Sequence, residues 1–194
     1  MKQSTKRDLQ AENRQNQLLD IALTLFAERG VENVSIKDLA TEAKISQGLI
    51  YYYFQSKDEL LGAVLQRNSP LPEFEAIIEQ LTDLPTQDGI VLLAKDLAKL
   101  MPEKKLVLRL IMRELLSSRS NVLTHVISFR EEVMGRLADY FQLCIDRGEL
   151  KPHQPFVPIH MIISSFLALL ILDQPLEQAV PHFVDIILNG IQAT

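Results

Sequence analysis

Apolar residues recur at intervals of three and four along most of the chain, and this spacing predicts an all-α protein. Runs that alternate apolar and polar residues, as strands do, are nearly absent. The spacing and the intervening breakers predict helices at 13–29, from Ser35 into the early forties, and at 47–54, 57–67, 73–84, 88–100, 103–118, 122–147, 156–172 and 176–191. Breaks are expected at Met101-Pro102, and Pro181 either kinks the last helix or begins it.

Serines mark the starts of the short helices near the amino terminus. Ser35, Ser46 and Ser56 each stand where a side-chain oxygen can accept a hydrogen bond from a free amide of the first turn. Asp38, three residues after Ser35, completes the pattern of a capping box. The proline-rich stretch 68–72 is the predicted boundary between a first domain, residues 1–68, and a second, residues 69–194.

Two of the short helices, the one after Ser35 and the one at 47–54, are joined by a tight turn and form a helix-turn-helix pattern. In that motif the second helix enters the major groove of DNA. Tyr51, Tyr52 and Tyr53 are consecutive, so at helical spacing at least one or two of them must be exposed. Exposed phenols can donate to phosphate oxygens and contact thymine methyls. The alternative is a packing patch that joins this domain to the helix at 57–67.

The segment from Ile21 to Leu65 resembles the amino-terminal domain of TetR-family transcriptional regulators. The pieces that carry the resemblance are ALTLFAERG at 22–30, VSIKDLA at 34–40, ISQGLIYYYF at 45–54 and SKDELL at 56–61. It implies a three-helix helix-turn-helix DNA-binding domain followed by a helical ligand-binding and dimerisation domain. It also implies a bacterial homodimer that represses from a near-palindromic double-stranded DNA operator and is released by a small apolar or amphipathic effector.

Position by position, the resemblance implies DNA contacts from ten residues, either to bases or to the backbone. They are Ser35, Lys37, Ser46, Gln47, Gly48, Leu49, Tyr51, Tyr52, Tyr53 and Lys57. Side-chain chemistry agrees for Gln47, because glutamine pairs with adenine, and for Leu49, which can meet a thymine methyl. The helix at 47–54 has no arginine or lysine, so we expect readout that leans towards A·T pairs. The alternatives to a DNA contact are that Ser35 serves only as a helix cap and that Lys37 and Lys57 are only solvated surface residues.

The second domain offers a candidate ligand site. The helix at 103–118 is apolar nearly all round, so it should be central. Arg109 and Arg113 lie one turn apart on it, and they either clamp an acidic ligand or pair with nearby glutamates or solvent. The predicted lining residues are Arg109, Met112, Arg113, Phe129 and Phe166, with plain core packing as the alternative. The resemblance implies that the last two helices form the homodimer interface.

Charge and composition narrow the function classes. The net charge is −5, yet residues 1–68 carry nine basic and nine acidic side chains, so the acidic excess lies in residues 69–194. The single cysteine excludes an intrachain disulfide and favours a reducing compartment. No signal peptide is visible, and the longest apolar stretch, 156–172, is shorter than the roughly 20 residues that span a bilayer. We therefore expect a cytoplasmic protein without a membrane span.

Catalytic chemistry has no visible basis in the sequence. No Ser/His/Asp set, metal-ligand spacing or phosphate-binding glycine loop stands out. We therefore expect no enzyme activity, no metal and no cofactor. The competing interpretation is a helical small-molecule-binding protein or adaptor without DNA-binding activity.

Overall fold

The chain is all-α in the computed structural model, which describes residues 6–117 and 123–191 except the side chains of residues 6–8, 117, 123–130, 132 and 191. The sequence also predicts a basic amino-terminal tail with Lys2, Lys6, Arg7 and Arg14, and of these side chains only that of Arg14 lies among the described residues. The helices are α1 (Lys6–Arg29), α2 (Ile36–Glu42), α3 (Gln47–Tyr53), α4 (Lys57–Arg67), α5 (Leu71–Leu81), α6 (Thr86–Glu103), α7 (Lys105–Ser117), α8 (Leu123–Asp146), α9 (Phe156–Ile171) and α10 (Leu176–Ile191). Among them, none is both long enough and apolar enough to cross a bilayer.

The three predicted serine caps are confirmed. Ser35 Oγ accepts from the Asp38 amide at 3.1 Å, and the Asp38 carboxylate accepts from the Ser35 amide at 2.8 Å, which is a complete capping box. Ser46 Oγ caps α3 through the Leu49 amide at 3.2 Å. Ser56 Oγ caps α4 through the Glu59 amide at 3.0 Å. Each helix start is therefore fixed by its own local hydrogen bonds.

Several predicted boundaries are wrong. The first helix begins at Lys6, about two turns before residue 13. The break predicted at Met101-Pro102 lies about two residues later, because α6 continues through Pro102 to Glu103 and α7 begins at Lys105. The predicted bounds of the last helix, 176–191, are confirmed, and of the two alternatives for Pro181 the one in which it begins the helix is wrong, because it lies inside α10. A single turn of 3-10 helix, Val31–Asn33, was not predicted, because three residues are too few to show a period.

The chain forms two compact units that are not continuous in sequence. The first contains Met1–Ser69 and Leu106–Val126, and the second contains Pro70–Lys105 and Ile127–Thr194. The predicted segments 1–68 and 69–194 place one boundary within a residue of this division, but they miss the return of α7 to the first unit. It returns because Val107 and Leu110 are part of the hydrophobic core of that unit.

Each unit has its own core. In the first, Phe26 of α1, Leu39 of α2, Ile50 of α3 and Leu60 of α4 are fully buried together. In the second, α6 packs against α5, α9 and α10. Phe166 of α9 is fully buried there, with its ring 5.1 Å from that of Phe183 in an edge-to-face arrangement.

Candidate nucleic-acid interface

The turn between α2 and α3 sets the direction of the second helix. Lys44 adopts a φ of 54° there, the left-handed conformation that commonly ends a helix. The Ile45 amide donates to the Ala40 carbonyl at 3.0 Å and the Lys44 amide to the Thr41 carbonyl at 3.2 Å, which is the bond pattern of a Schellman motif. The chain therefore leaves α2 through a hydrogen-bonded turn and enters α3 at the Ser46 cap.

One side of α3 is buried and the other side is exposed to solvent. On the buried side, the side chain of Ile50 is completely buried and that of Phe54, the residue after α3, is 4% exposed. Tyr52 is 80% exposed and Tyr51 53% exposed, so the prediction that one or two of the tyrosines reach the surface is confirmed. Because their rings face solvent at a fixed position, both can approach a phosphate backbone.

Tyr53 is placed differently from its two neighbours. It is half-buried, its hydroxyl approaches the Ala11 carbonyl of α1 at 3.5 Å, and its ring meets that of Tyr52 edge-on at 5.3 Å. Tyr53 therefore packs against α1, whereas the packing alternative named the helix at 57–67 as the partner. Its predicted phosphate contact stays a prediction.

The amino-terminal turn of α3 carries the predicted base-reading residues. Gln47 and Gly48 are exposed and Leu49 is half-buried. A Cβ at Gly48 would have only Ser46 Oγ within 4 Å among the described atoms, at 3.9 Å, so the glycine leaves this surface open rather than relieving a clash. Close approach of another molecule is therefore unobstructed at this position.

The remaining predicted contact residues are two serines that cap helices and two lysines in different surroundings. The hydroxyls of Ser35 and Ser46 are engaged in helix caps, as the capping alternative predicted. Lys37 is exposed on α2. The Lys57 ammonium donates to the carbonyls of Val31 and Val34 at 3.0 and 3.3 Å, and its predicted phosphate contact stays a prediction. No sequence signal indicated this internal role, because both acceptors are main-chain atoms.

The capping box gives α2 a dependence on acid. Hydrogen bonds from the Ser35 hydroxyl and amide hold the pKa of Asp38 below its ordinary value. A carboxyl whose pKa is lowered on folding contributes stability above its unfolded pKa, near 4, and that contribution is lost as the pH falls through the folded value.

We therefore expect Asp38→Asn to flatten the dependence of stability on pH between about 5 and 2, since the stabilising carboxylate is gone at every pH. Urea unfolding followed by circular dichroism across that range measures the slope. Asp83→Asn, at an exposed turn residue, is the control and should keep the wild-type slope. A wild-type slope in Asp38→Asn would contradict the capping role of the carboxylate.

The predicted ligand-lining residues are not gathered in one unit. Arg109, Met112 and Arg113 belong to α7 of the first unit, whereas Phe166 lies in the core of the second. The side chain of Phe129 lies outside the described residues. Arg109 is exposed and Met112 half-buried, and their predicted ligand role stays a prediction.

Arg113 has a defined structural partner. Its guanidinium donates to the main-chain carbonyls of Glu28 and Arg29 at 2.8 and 2.9 Å. These carbonyls end α1, where a helix leaves its acceptors unsatisfied and its dipole favours a cation. The guanidinium of Arg113 is thus paired with backbone oxygens, whereas the sequence suggested glutamate side chains as its partners.

The last two helices carry an exposed apolar surface in the second unit. Large apolar side chains that are about half-exposed or more on or beside α9 and α10 are Phe156, Val157, Met161, Ile171, Leu172 and Ile186. An apolar group of this size on one pair of helices is typical of a protein interface.

Comparison with known proteins shows which family the segment that contains this site is similar to. The model described as bacterial regulatory proteins, tetR family, matches residues 18–64, which include α2, α3 and most of α4. The transcriptional repressor KstR2 of Rhodococcus jostii is 43% identical over 53 residues, which cover 27% of this chain and 26% of that protein. The match thus spans about a quarter of the length of such relatives.

Solved structures match almost the whole chain at low identity. FadR from Bacillus subtilis, in complex with stearoyl-CoA, superposes with a TM-score of 0.72 and 18% identity over 91% of this chain and 99% of that one. AibR, in complex with isovaleryl coenzyme A and operator DNA, superposes with a TM-score of 0.72 and 18% identity over 89% and 96%. At such identities the likeness establishes a shared fold.

Proposed function

We propose that this chain, whose residues 18–64 match the tetR family of bacterial regulatory proteins, is a dimeric, ligand-responsive transcriptional repressor of the bacterial cytoplasm. The observation that carries the proposal is the exposed face of α3. Gln47, Gly48, Tyr51 and Tyr52 are all exposed on a helix that Ile50 anchors and Ser46 caps. Such a rigid polar and aromatic surface suits the major groove.

The base-reading role belongs to Gln47 and Leu49, and the backbone role to the tyrosine hydroxyls. Glutamine can bond both N6 and N7 of adenine, and an aliphatic side chain can meet a thymine methyl. The alternative, a helical ligand-binding protein without DNA binding, does not explain why the Tyr52 side chain is 80% exposed.

Dimerisation through α9 and α10 is the second part of the proposal. The exposed apolar group that includes Val157, Met161 and Ile186 supports it, because contact with a second copy would remove these side chains from water. Two copies related by a two-fold axis would present two α3 helices to half-sites about one DNA turn apart, roughly 34–36 Å. An operator with two-fold symmetry follows from this arrangement.

An amphipathic acyl-CoA thioester is the effector class that we propose to test. Two neighbours of the same fold were solved in complex with stearoyl-CoA and with isovaleryl coenzyme A. Binding of the effector among the helices of residues 73–150 would shift α4 and thereby change the separation of the two α3 helices. Release of the protein from its operator by stearoyl-CoA and by isovaleryl-CoA is the corresponding measurement.

We expect the purified protein to enrich a two-fold symmetric site from a random duplex library near physiological salt. Gln47→Ala should relax the preference at one base pair per half-site, by about 1–3 kcal/mol, because one bidentate contact is lost. Affinity measurements on duplexes substituted at each position check this. Gln55→Ala, at an exposed glutamine just after α3, is the matched control.

Two results would count against this function. Equal losses on all sequences for Gln47→Ala would assign that side chain to the backbone rather than to a base. Failure of the wild-type protein to enrich any site, after native mass spectrometry has excluded a bound ligand, would favour the interpretation without DNA binding.

A further inference from the structure

The connection between α1 and α2, residues 30–35, is held by side chains from two helices that are remote in sequence. α7 contributes Arg113, whose guanidinium binds the last carbonyls of α1, and Glu114, whose carboxylate accepts from the Val31 amide at 3.2 Å. α4 contributes Lys57, described above. The connection contains one turn of 3-10 helix, Val31–Asn33, and these hydrogen bonds join that turn to α4 and α7.

Side chains from both helices bind the backbone of Val31. Its amide donates to Glu114 of α7, and its carbonyl accepts from Lys57 of α4 at 3.0 Å. Both bonds involve a charged partner, and such bonds are about twice as strong as neutral ones. A displacement of either helix would therefore move one of the two peptide groups that flank the Val31 Cα.

Glu114 is unusual for a charged residue because it is 3% exposed. A buried carboxylate is tolerated only where hydrogen bonds replace its water, so its contact with Val31 is not incidental. The same burial and the negative charge exclude a direct contact with DNA phosphates. Any effect of Glu114 on DNA binding is therefore indirect, and its hydrogen bond to the Val31 amide provides a route for it.

The connection leads directly into the helix-turn-helix. Val34, whose carbonyl also accepts from Lys57, at 3.3 Å, precedes the Ser35 cap of α2. α2 is joined to α3 by the short bonded turn at Lys44, so the path of residues 31–34 sets where α3 begins.

We propose that Glu114 and Lys57 are positioning residues for operator binding, which act jointly through Val31 to fix the helix-turn-helix. The proposal rests on the proposed DNA-binding function and assigns part of it to α7, outside the segment 18–64 that matches the family. It makes operator affinity depend on a buried carboxylate in the first unit that never reaches the duplex.

The test measures binding to the duplex that the wild-type protein selects, at 25 °C and at several salt concentrations. Glu114→Ala should weaken specific binding about tenfold, leave binding to random duplex unchanged and leave the slope of log Kd against log salt unchanged, since no phosphate contact is lost. Glu114→Gln, whose amide oxygen can still accept from Val31, should remain within about threefold of wild type. Glu103→Ala, at an exposed acid of α6, is the control.

Thermal unfolding distinguishes positioning from stability alone. If Glu114→Ala is folded at 25 °C and binds the operator as tightly as wild type, the residue is only structural and the proposal is overturned. If Glu114→Ala does not fold, Arg113→Ala carries the same expectation, because its exposed guanidinium holds the same connection.

A double-mutant cycle tests whether both residues act through Val31. We expect Glu114→Ala combined with Lys57→Ala to lose about as much affinity as the larger single loss, because each disrupts the same connection. Additive losses, together with a salt slope lowered by about one in Lys57→Ala, would assign Lys57 to a phosphate and overturn the joint role. If the wild-type protein selects no duplex, the proposed function fails; if it does and the variants bind equally, only this inference fails.

Discussion

Replacing Gly30 by alanine is expected to give the largest loss of stability of any single methyl addition in the first unit. Gly30 ends α1 with φ 87° and ψ 148°, a conformation that is essentially restricted to glycine and costs other residues about 1–3 kcal/mol. The added Cβ would also lie 2.8 Å from Arg113 Nε, too close for any real contact. Displacing the guanidinium would weaken its hydrogen bonds to α1, each worth about 1.5–3 kcal/mol.

Urea unfolding of the Gly30→Ala variant measures the combined loss, and two glycines separate its causes. Gly148→Ala introduces an alanine at φ 73° where no described atom lies within 4 Å, so it reports backbone strain alone. Gly62→Ala, in α4 with the same open surroundings, should be neutral or stabilising by up to about 1 kcal/mol because alanine favours helices. A Gly30→Ala variant as stable as Gly148→Ala would show that Arg113 moves aside freely.

Gly89→Ala is expected to destabilise the second unit by about 1–3 kcal/mol through overpacking. Gly89 is buried in α6, and a Cβ there would lie 2.0 Å from the Tyr140 hydroxyl oxygen and 3.1 Å from Cζ of the same ring. Tyr140 is itself 4% exposed on α8, and burial, chiefly, raises the pKa of its hydroxyl. The ring has little room to retreat, because Phe141 beside it is completely buried.

A rescue experiment identifies the overlapping atom. Tyr140→Phe removes the oxygen but leaves the ring carbon, so the double variant with Gly89→Ala should recover part of the lost stability. Gly135→Ala, on α8 with no described atom within 4 Å of the added Cβ, is the control and should not destabilise the protein. Wild-type stability of Gly89→Ala would mean that the Tyr140 side chain readily adopts another rotamer.

Local chemistry explains why the short helices of the first unit were predictable. Each of α2, α3 and α4 begins with a serine whose hydroxyl accepts from an amide three residues later, so both partners are close together in the sequence. The exposure of the tyrosines followed from helical geometry as well, because three consecutive residues cannot share one face. Tyr53 was the ambiguous one, and a contact with α1 determines its place.

The surroundings of the candidate ligand residues could not be predicted from the local sequence. Arg113 and Arg109 are both arginines on one face of an apolar helix, and the sequence offers no means to tell them apart. In the structure Arg113 caps α1 and Arg109 faces solvent. The difference comes from carbonyl oxygens some 80 residues earlier in the chain, and main-chain atoms leave no mark in a side-chain pattern.

By itself the sequence determined the helical class, the capped helix-turn-helix and the family of residues 18–64, because period, caps and motif spacing are properties of neighbouring residues. Only the tertiary structure decided that α7 returns to the first unit and that Glu114 and Lys57 meet at Val31. Those contacts join atoms far apart in sequence, and their partners are a backbone amide and carbonyl that every residue type but proline possesses. The location of a buried charge is therefore a property of the fold.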